Sequence, residues 1–520
     1  MSLVRSCGVL TPLFSLRSQK SVGVGEFPDL NLLVDWCGKT GFGILQLLPM
    51  NDVGFNFRPY DSESSFALEP MHVCLEKIAH DDAGTLRNEI EDLRKKFPLR
   101  GDFYDTGIKK AKLELLRKIF KKRPKSGEAE FRRYCEDQKA WLDAYAEYKV
   151  LKDRFQLAGW MSWPEEFRRR KPEISAALEK DEAENLAFHR WTQWQLFLQF
   201  RAVKEYAAKK NVGIMGDIPF LVARDSADVW AHPEYFKLEF SAGAPPDLYF
   251  ADGQEWGMPP YRWSEIEAHG YDYVAQKLRY AENFYDYFRI DHFVGVFRVW
   301  TFPREAPSGE KRKGAFDPPD ESIWDEHGRK IVEAMRGSTR MHPCAEDLGC
   351  VPDCSEQVLE DYGIPGIDVQ RWMRHWETTK EFKKAEEYRP NAIAVISTHD
   401  TTPLLLWWKT DAGSADDRQK FWQAVGLQGP HEAEPSMRIV EACFEAVSAT
   451  RCVFSIQLFQ DWLAYAGAMT DTRPEYRINV PGVVHDTNWR WVSPVSLEEL
   501  QSLPGNSKIL KLNRKNGRAG

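Results

Sequence analysis

Near the middle of the chain stands the stretch Tyr285-Asp286-Tyr287-Phe288-Arg289-Ile290-Asp291-His292-Phe293. Its alternating apolar residues predict a β-strand, and its charged residues collect at the carboxyl end, where an α/β barrel holds its chemistry. Because side chains alternate faces along a strand, Arg289 and Asp291 point to the same side, where the guanidinium can keep the carboxylate ionised. Taken alone, the cluster fits a catalytic acid and a buried structural ion pair equally well.

Short apolar segments of the same kind recur along the chain. Eight of them are predicted as strands, beginning near Cys7, Gly43, Val212, Tyr285, His342, Gly366, Ala392 and Cys452. Helical patterns separate them, as in residues 28–40, and the Gly-x-Gly-x-x-Gly turn of a dinucleotide-binding sheet is missing. The sequence therefore predicts an α/β fold, a (β/α)8 TIM barrel that spans residues 1–520 as a single catalytic domain.

Two segments depart from the barrel pattern. Residues 78–208 contain long charged helical stretches with embedded tryptophans, which predict a large helical insertion subdomain. Residues 221–263 are rich in Gly, Pro and aromatic residues. A loop this long inside a compact domain is usually functional, so it is predicted to be an insertion over the active site.

Composition narrows the class of function. The chain has 520 residues, 43% of them hydrophobic and 28% charged, which is typical of a globular protein. A net charge of −8 argues against nucleic acid and anionic membranes as partners. No apolar run reaches the roughly 18 to 20 residues that cross a bilayer. The 19 Trp, 18 Tyr and 30 Phe residues include candidates for stacking on sugar rings, although most must be core residues.

The cysteines and the amino end indicate the compartment. The nine cysteines are scattered without paired CxxC spacing, so we expect reduced thiols and no zinc site. The amino end shows no basic region followed by a long apolar run, so no signal peptide is predicted. The prediction is a cytoplasmic protein.

Acidic residues end four of the predicted strands. They are Asp217, Asp291, Glu346 and Asp400, with Arg289, His292 and His399 beside them. Clustered carboxylates on a barrel rim suit glycosidic bond cleavage, in which one carboxylate attacks the anomeric carbon and one carboxylic acid protonates the leaving oxygen. They also suit hydrolysis assisted by a divalent metal. The lack of a His-x-His pair and the abundance of tryptophan favour sugar chemistry, with no metal site and no cofactor.

Three motifs carry a family resemblance. Arg289-Ile290-Asp291-His292-Phe293, Ala345-Glu346-Asp347-Leu348-Gly349 and Thr398-His399-Asp400 resemble the catalytic motifs of 4-α-glucanotransferases, also called amylomaltases or disproportionating enzymes. These enzymes form glycoside hydrolase family 77 in the α-amylase clan. Further segments resemble the family in the same order, from about residue 5 to 495: Gly216–Pro219, Gly243–Asp247, Trp256-Gly257 and Asn488–Arg490.

The resemblance implies a role for each matching residue. Asp291 would be the nucleophile, Glu346 the general acid and then general base, and Asp400 the residue that stabilises the distorted sugar. Arg289 would keep Asp291 ionised. The expected substrate-binding residues are Arg289, His399, Asp217, Tyr60, Trp256 and His292, with Tyr60 and Trp256 as stacking aromatics. The chain departs from the common family pattern at Arg58 and at Thr401-Thr402, in loops expected to contact sugar.

The implied function is the transfer of a segment of a 1,4-α-glucan donor to glucose or a maltooligosaccharide acceptor. Such an enzyme disproportionates maltooligosaccharides or glycogen-derived glucans. One alternative is an α-glucan hydrolase of the same clan, because the same covalent intermediate can be released by water. A glucan-binding scaffold without activity is the other, but it requires one of the three acids to be missing, and none is.

Overall fold

The computed structural model describes residues 3–79, 84–124, 126–246, 252–305 and 312–520. The strands in these ranges are β1 (Ser6–Thr11), β2 (Ile44–Leu47), β3 (Gly213–Ile218), β4 (Phe240–Ala244), β5 (Gln254–Glu255), β6 (Tyr287–Ile290), β7 (Val299–Pro303), β8 (Ala315–Asp317), β9 (His342–Ala345), β10 (Gly366–Val369), β11 (Ala392–Val395) and β12 (Phe454–Leu458).

The helices of the first half are α1 (Asp29–Thr40), α2 (Thr85–Lys96), α3 (Gly107–Lys122), α4 (Glu128–Asp137), α5 (Lys139–Arg154), α6 (Pro172–Asp181), α7 (Ala183–Lys209), α8 (Ala227–Ala231), α9 (Trp263–Ala268) and α10 (Asp272–Ala281). Those of the second half are α11 (Trp324–Gly337), α12 (Asp353–Tyr362), α13 (Leu404–Thr410), α14 (Ala415–Ala424), α15 (Met437–Ala449), α16 (Phe459–Tyr465), α17 (Leu497–Leu500) and α18 (Asn506–Lys515).

Eight strands form one parallel sheet in the order β10-β11-β12-β1-β2-β3-β6-β9. The two end strands meet at a seam, where the Ala345 amide donates to the Pro365 carbonyl at 2.8 Å. At the same seam Asp347 Oδ1 accepts from the Ile367 amide at 2.7 Å. The sheet thus closes into a (β/α)8 barrel, and the predicted fold is confirmed.

The barrel strands are short and buried because helices cover the sheet outside and side chains fill it inside. Every residue of β2, β10, β11 and β12 is buried. The first covering helix, α1, buries its apolar face and ends at Gly41, whose φ of 77° is the left-handed conformation that glycine adopts most easily. This helix matches the pattern of residues 28–40.

One connection of the barrel differs from the expected alternation. The segment between β10 and β11 is fully described and contains no α-helix. It holds a bridge between Arg374 and Phe382 instead. The apolar spacing that predicts a covering helix elsewhere is missing here, since residues 374–384 are dominated by charged and polar side chains.

Six helices, α2 to α7, lie between β2 and β3, and no strand occurs among the described residues there. The second half of α7 packs on the barrel wall, where the Phe200 ring lies 4.6 Å from Phe27 and 4.8 Å from Phe284, centroid to centroid. The predicted insertion at 78–208 includes residues 80–83 and 125, which lie outside the described residues. Its standing as a subdomain stays a prediction.

The segment 221–263 contains α8, β4 and β5. Both strands belong to an antiparallel sheet of order β5-β4-β7-β8, which the sequence analysis did not predict. Residues 247–251, including Asp247 of the family-like segment, lie outside the described residues. The predicted loop insertion over the active site stays a prediction.

Two further observations concern the whole chain. All nine cysteines are free. In the ranges that the structure describes, no helix is long and apolar enough to cross a membrane.

Candidate active site

Arg289 lies at the centre of the carboxyl-end face of the barrel. The register of β3 and β6 sets it opposite Asp217. Its Nη1 donates to both carboxylate oxygens of Asp217, at 2.8 and 2.9 Å, and to Asp291 Oδ1 at 2.8 Å. Arg289 and Asp217 are buried, while the Asp291 side chain is 23% exposed. Burial raises the pKa of Asp217, and the charge of Arg289 opposes that shift.

Glu346 follows β9, the strand that pairs with β6. Its Oε2 lies 3.8 Å from Arg289 Nη2 and accepts the His292 amide at 2.8 Å. His292 has a φ of 46°, a left-handed conformation that turns its N–H toward this carboxyl. The same guanidinium therefore contacts three carboxyl groups, which come from three neighbouring strands of the barrel.

The protonation of Glu346 differs from that of an ordinary glutamate. Burial is the main cause that raises its pKa from 4.5 to about 8, and the Asp291 carboxylate acts in the same direction. Arg289 and the His292 N–H oppose the shift without cancelling it. Glu346 is thus a carboxylic acid at neutral pH, whereas Asp291 beside it is bound to a guanidinium.

Asp400 follows β11 and is held from three sides. Its Oδ1 accepts from Asn479 Nδ2 at 2.7 Å, its Oδ2 lies 3.3 Å from His399 Nε2, and its carbonyl accepts from Arg477 at 2.7 Å. Burial alone would raise the pKa of Asp400, but His399, Asn479 and Arg289 outweigh burial and bring it down to about 2. Asp400 is therefore an anion throughout the physiological pH range.

Tyr60 connects the carboxylates around Arg289 with the His399–Asp400 pair. Its hydroxyl donates to Asp217 Oδ2 at 2.7 Å, and its ring stacks on His399 at 5.2 Å with an interplanar angle of 13°. The Trp489 ring lies 5.8 Å from Tyr60 and 6.0 Å from His399. The half-buried Tyr60 packs against the core and also contacts Asp217 and His399 of the site.

Trp256 lies beside His292 with their rings edge to face and 4.9 Å apart. Burial lowers the pKa of His292 to about 4, so its imidazole is neutral near pH 7. An open cleft of about 450 Å³ adjoins the half-buried Trp256 and extends between the loop after β2 and helix α5. A flat aromatic ring beside an open cleft suits a sugar ring, which has an apolar C–H face.

All nine site residues predicted from the sequence lie in one contact network. Arg289 joins Asp217, Asp291 and Glu346. Tyr60 joins Asp217 to His399 and so to Asp400. His292 joins Glu346 to Trp256. Their individual roles stay predictions.

Asn479 and Arg477 were missed as parts of the site. They come from an irregular segment 79 and 77 residues beyond Asp400, respectively, and no spacing in the sequence indicates their contact. The structure also shows what Thr401 and Thr402, which differ from the common family pattern, contact. Thr401 Oγ1 accepts from the Thr398 amide, and Thr402 Oγ1 bonds Asp411 at 2.8 Å, so both hydroxyls are engaged inside the protein.

The arrangement suits acid–base and nucleophilic chemistry at one bond. It pairs a protonated acid, Glu346, with a free oxygen on Asp291, since among the described residues only Oδ1 of Asp291 accepts a hydrogen bond. Within the same described ranges, no group of three or more His, Cys, Asp or Glu side chains could hold a metal ion.

Comparison with known proteins identifies the family. The family model described as 4-alpha-glucanotransferase, glycoside hydrolase family 77, matches residues 11–496. The 4-alpha-glucanotransferase of Chlamydia muridarum is 32% identical over 501 residues, which cover 95% of this chain and 92% of the relative. That of Chlamydia trachomatis serovar D is 34% identical over 501 residues, with the same coverage.

Solved structures agree on the fold. The amylomaltase from Streptococcus agalactiae in complex with acarbose superposes with a TM-score of 0.82, covering 99% of this chain and all of that chain at 24% identity. The amylomaltase from Corynebacterium glutamicum gives a TM-score of 0.81 at 22% identity and covers 98% of this chain and 75% of that one. Because the family model spans nearly the whole sequence, the chain belongs to the 4-alpha-glucanotransferases of glycoside hydrolase family 77.

Proposed function

We propose that this glucanotransferase works by double displacement on Asp291. In the first step the free Asp291 Oδ2 attacks the anomeric carbon of an α-1,4-glucan donor. The bond from that carbon to the glycosidic oxygen breaks, and Glu346 gives its proton to the departing oxygen. The products are a glycosyl ester on Asp291 and a shortened glucan that leaves with a new 4-hydroxyl group.

The second step reverses the first with a new acceptor. Glu346, now a carboxylate, takes the proton from the 4-hydroxyl of an acceptor, whose oxygen attacks the anomeric carbon. The bond to Asp291 breaks, and Asp291 returns to its carboxylate form beside Arg289. Two inversions at the same carbon retain the α configuration.

The observation that carries this proposal is the set of contacts made by Arg289. One buried guanidinium touches Asp217, Asp291 and Glu346, yet burial keeps the pKa of Glu346 near 8. The raised pKa of Glu346 supports its role as the acid of the first step, beside Asp291 on the same guanidinium. Asp400 has a separate role. It stays ionised and binds hydroxyls of the distorted sugar, and Asn479 and His399 set its position.

The substrates we propose are an α-1,4-glucan donor and a glucose or maltooligosaccharide acceptor, including glucans derived from glycogen. The names of the relatives support transfer over hydrolysis by water, since the aligned relatives are 4-alpha-glucanotransferases. We also propose a cytoplasmic location, supported by nine free cysteines, which are typical of a reducing compartment.

The test traps the covalent intermediate. Glu346→Gln cannot act as base, but a glycosyl fluoride has a leaving group that needs no proton, so the first step still runs while the second slows. Maltosyl fluoride should leave a glycosyl group on the peptide that contains Asp291, seen by mass spectrometry after digestion. A label on another carboxylate would contradict the nucleophile assignment, and rapid turnover without any adduct would contradict the role of Glu346 as the base of the second step.

A further inference from the structure

A braced hairpin replaces the covering helix between β10 and β11. The Lys383 amide donates to the Met373 carbonyl at 2.8 Å, and the His375 amide donates to the Glu381 carbonyl at 3.0 Å. We call residues 372–383 the Trp376 hairpin. Backbone pairing on both sides of the Arg374–Phe382 bridge gives it a fixed shape.

Side chains fasten this hairpin to its surroundings. The Arg374 guanidinium bonds Asp417 Oδ1 at 2.9 Å and lies 3.8 Å from the centroid of Phe382. His375 Nε2 lies 3.0 Å from Glu387 Oε1. The hairpin is therefore held to α14 and to the 3-10 turn Ala385–Glu387 that follows it, so the position of its tip is defined.

The Trp376 hairpin exposes two large aromatic rings. Trp376 is 57% exposed and Trp372 is 39% exposed, although burial of so large an apolar ring is favourable. The Trp376 indole N–H donates to the Trp372 carbonyl at 3.0 Å, and the Arg374 guanidinium lies 5.5 Å from the ring centroid. The ring is thus oriented, with its polar edge satisfied by the protein and its surface open to solvent.

The base of the hairpin is joined to the catalytic rim. Arg371, the residue before Trp372, is buried and donates to the Thr402 carbonyl at 2.9 Å and to Ser397 Oγ at 2.7 Å. Ser397 and Thr402 enclose the turn that carries His399 and Asp400. The hairpin therefore rises from the same carboxyl-end face as the acids, next to the Asp400 turn.

We propose that Trp376 is a stacking platform for a long α-glucan chain, such as a branch of glycogen, that extends past the sugar at the catalytic acids. An oriented indole face matches the apolar C–H face of a glucose ring, and the sugar hydroxyls can meet the exposed Glu377 and Lys380 beside it. A short oligosaccharide gains less binding affinity from Trp376 than a polysaccharide does, because only a long chain extends from the catalytic acids to this ring. The inference rests on the proposed function and names a class of donor for it.

The test compares two donors for each variant. We measure the ratio of kcat/KM on glycogen to kcat/KM on maltotriose, with glucose as acceptor. Trp376→Ala should lower this ratio about 5- to 10-fold, whereas Trp376→Phe, which keeps a flat ring, should retain most of it. The control is Val4→Ala. Val4 is also exposed, at 75%, but it precedes β1 and so lies at the face of the barrel opposite the acids. The ratio for Val4→Ala should therefore equal that of the wild type.

The outcomes separate this inference from the proposed function. An unchanged ratio for Trp376→Ala, or equal losses for Trp376→Ala and Trp376→Phe, overturns the platform. If Trp376 binds a protein partner instead of a glucan, Trp376→Ala leaves the ratio of kcat/KM on glycogen to kcat/KM on maltotriose unchanged. A wild-type protein that converts neither donor overturns the proposed function instead, and affinity electrophoresis in a glycogen gel then still reports whether Trp376→Ala weakens binding.

Discussion

At the scale of single residues, one oxygen of the partly exposed Asp291 accepts from Arg289, and no described residue donates to the other oxygen. Its amide counterpart has the same shape but is a much weaker nucleophile. Asp291→Asn should therefore lower kcat on maltotriose by at least about 1,000-fold. Product formation followed by chromatography measures this loss.

The control for this change lies five residues earlier. Asp286→Asn, at the amino end of the same strand, keeps an oxygen that accepts from the Ile214 amide, so its activity should stay within about twofold of wild type. Substantial turnover by Asp291→Asn would exclude Asp291 as the nucleophile.

The raised pKa of Glu346 predicts the alkaline limb of the pH profile. The acid must be protonated to assist bond cleavage, so kcat/KM should fall about tenfold per pH unit as pH rises above about 8. Asp400, with a pKa near 2, stays ionised over this range and adds no step. Activity measured from pH 6 to 10 checks this limb.

Glu346→Gln supplies the comparison for the pH profile. It has no proton to lose, so its residual activity on a glycosyl fluoride should show no limb near pH 8. A wild-type profile that falls near pH 5 instead would mean that Glu346 has the pKa of an ordinary exposed glutamate.

Asn479 is a positioning residue for Asp400. Removing its amide in Asn479→Ala frees the Asp400 carboxylate to rotate, so kcat/KM should fall about 10- to 100-fold through kcat, with a smaller change in KM. Asn479→Asp places a second carboxylate against Asp400 and should be worse at neutral pH than at pH 5. Steady-state kinetics at both pH values distinguish this from general destabilisation, which would affect Asn479→Ala equally at both.

At the scale of elements, helices α3 and α5 hold the loop that carries Tyr60. Lys109 of α3 donates to Asp52 Oδ1 and to Glu69 Oε2, each at 2.8 Å, and Tyr145 of α5 donates to Asp52 Oδ2 at 2.7 Å. Lys109 and Asp52 are fully buried. These contacts fix both ends of the segment 52–69, and with it the ring that stacks on His399.

Breaking this buried cluster should destabilise the protein strongly. Lys109→Met leaves the buried Glu69 carboxylate without its cation and leaves Asp52 with Lys149 alone, which costs about 3–5 kcal/mol of unfolding free energy. Lys118→Met serves as control on the same helix, because Lys118 pairs with Glu89 at the surface and should cost less than about 1 kcal/mol. Urea unfolding of both variants compares the two values, and equal values would show that the buried cluster contributes no more than a surface pair.

The same elements show what the sequence can and cannot predict. The eight barrel strands were predictable because each is a short apolar run, and the acids were predictable because they lie directly or a few residues after those runs. The burial of Lys109 could not be predicted, because it depends on partners 40 and 57 residues away in the sequence. The small antiparallel sheet escaped prediction because β5 and β8 are only two and three residues long, and because its central pairing joins β4 to β7, which lies far along the chain.

At the scale of the whole molecule, closure of the barrel and the site depend on one another. The seam between β9 and β10 is closed by Asp347, the neighbour of Glu346, which accepts from the Ile367 amide and from Arg389 at 2.6 Å. Gly366 at this seam leaves no room for a side chain, because a Cβ there would lie 2.5 Å from Asp347 Oδ2. The side chains that complete the ring thus also hold the strand end that presents the acid.

Counting reducing ends distinguishes transfer of a glucan segment between sugars from transfer to water. Transfer conserves the number of reducing ends, whereas each hydrolytic event adds one. With maltotriose as the sole substrate, we expect glucose together with a ladder of longer glucans, while the total of reducing ends stays constant. Products that are all shorter than maltotriose, with reducing ends rising in step with its consumption, would contradict the account.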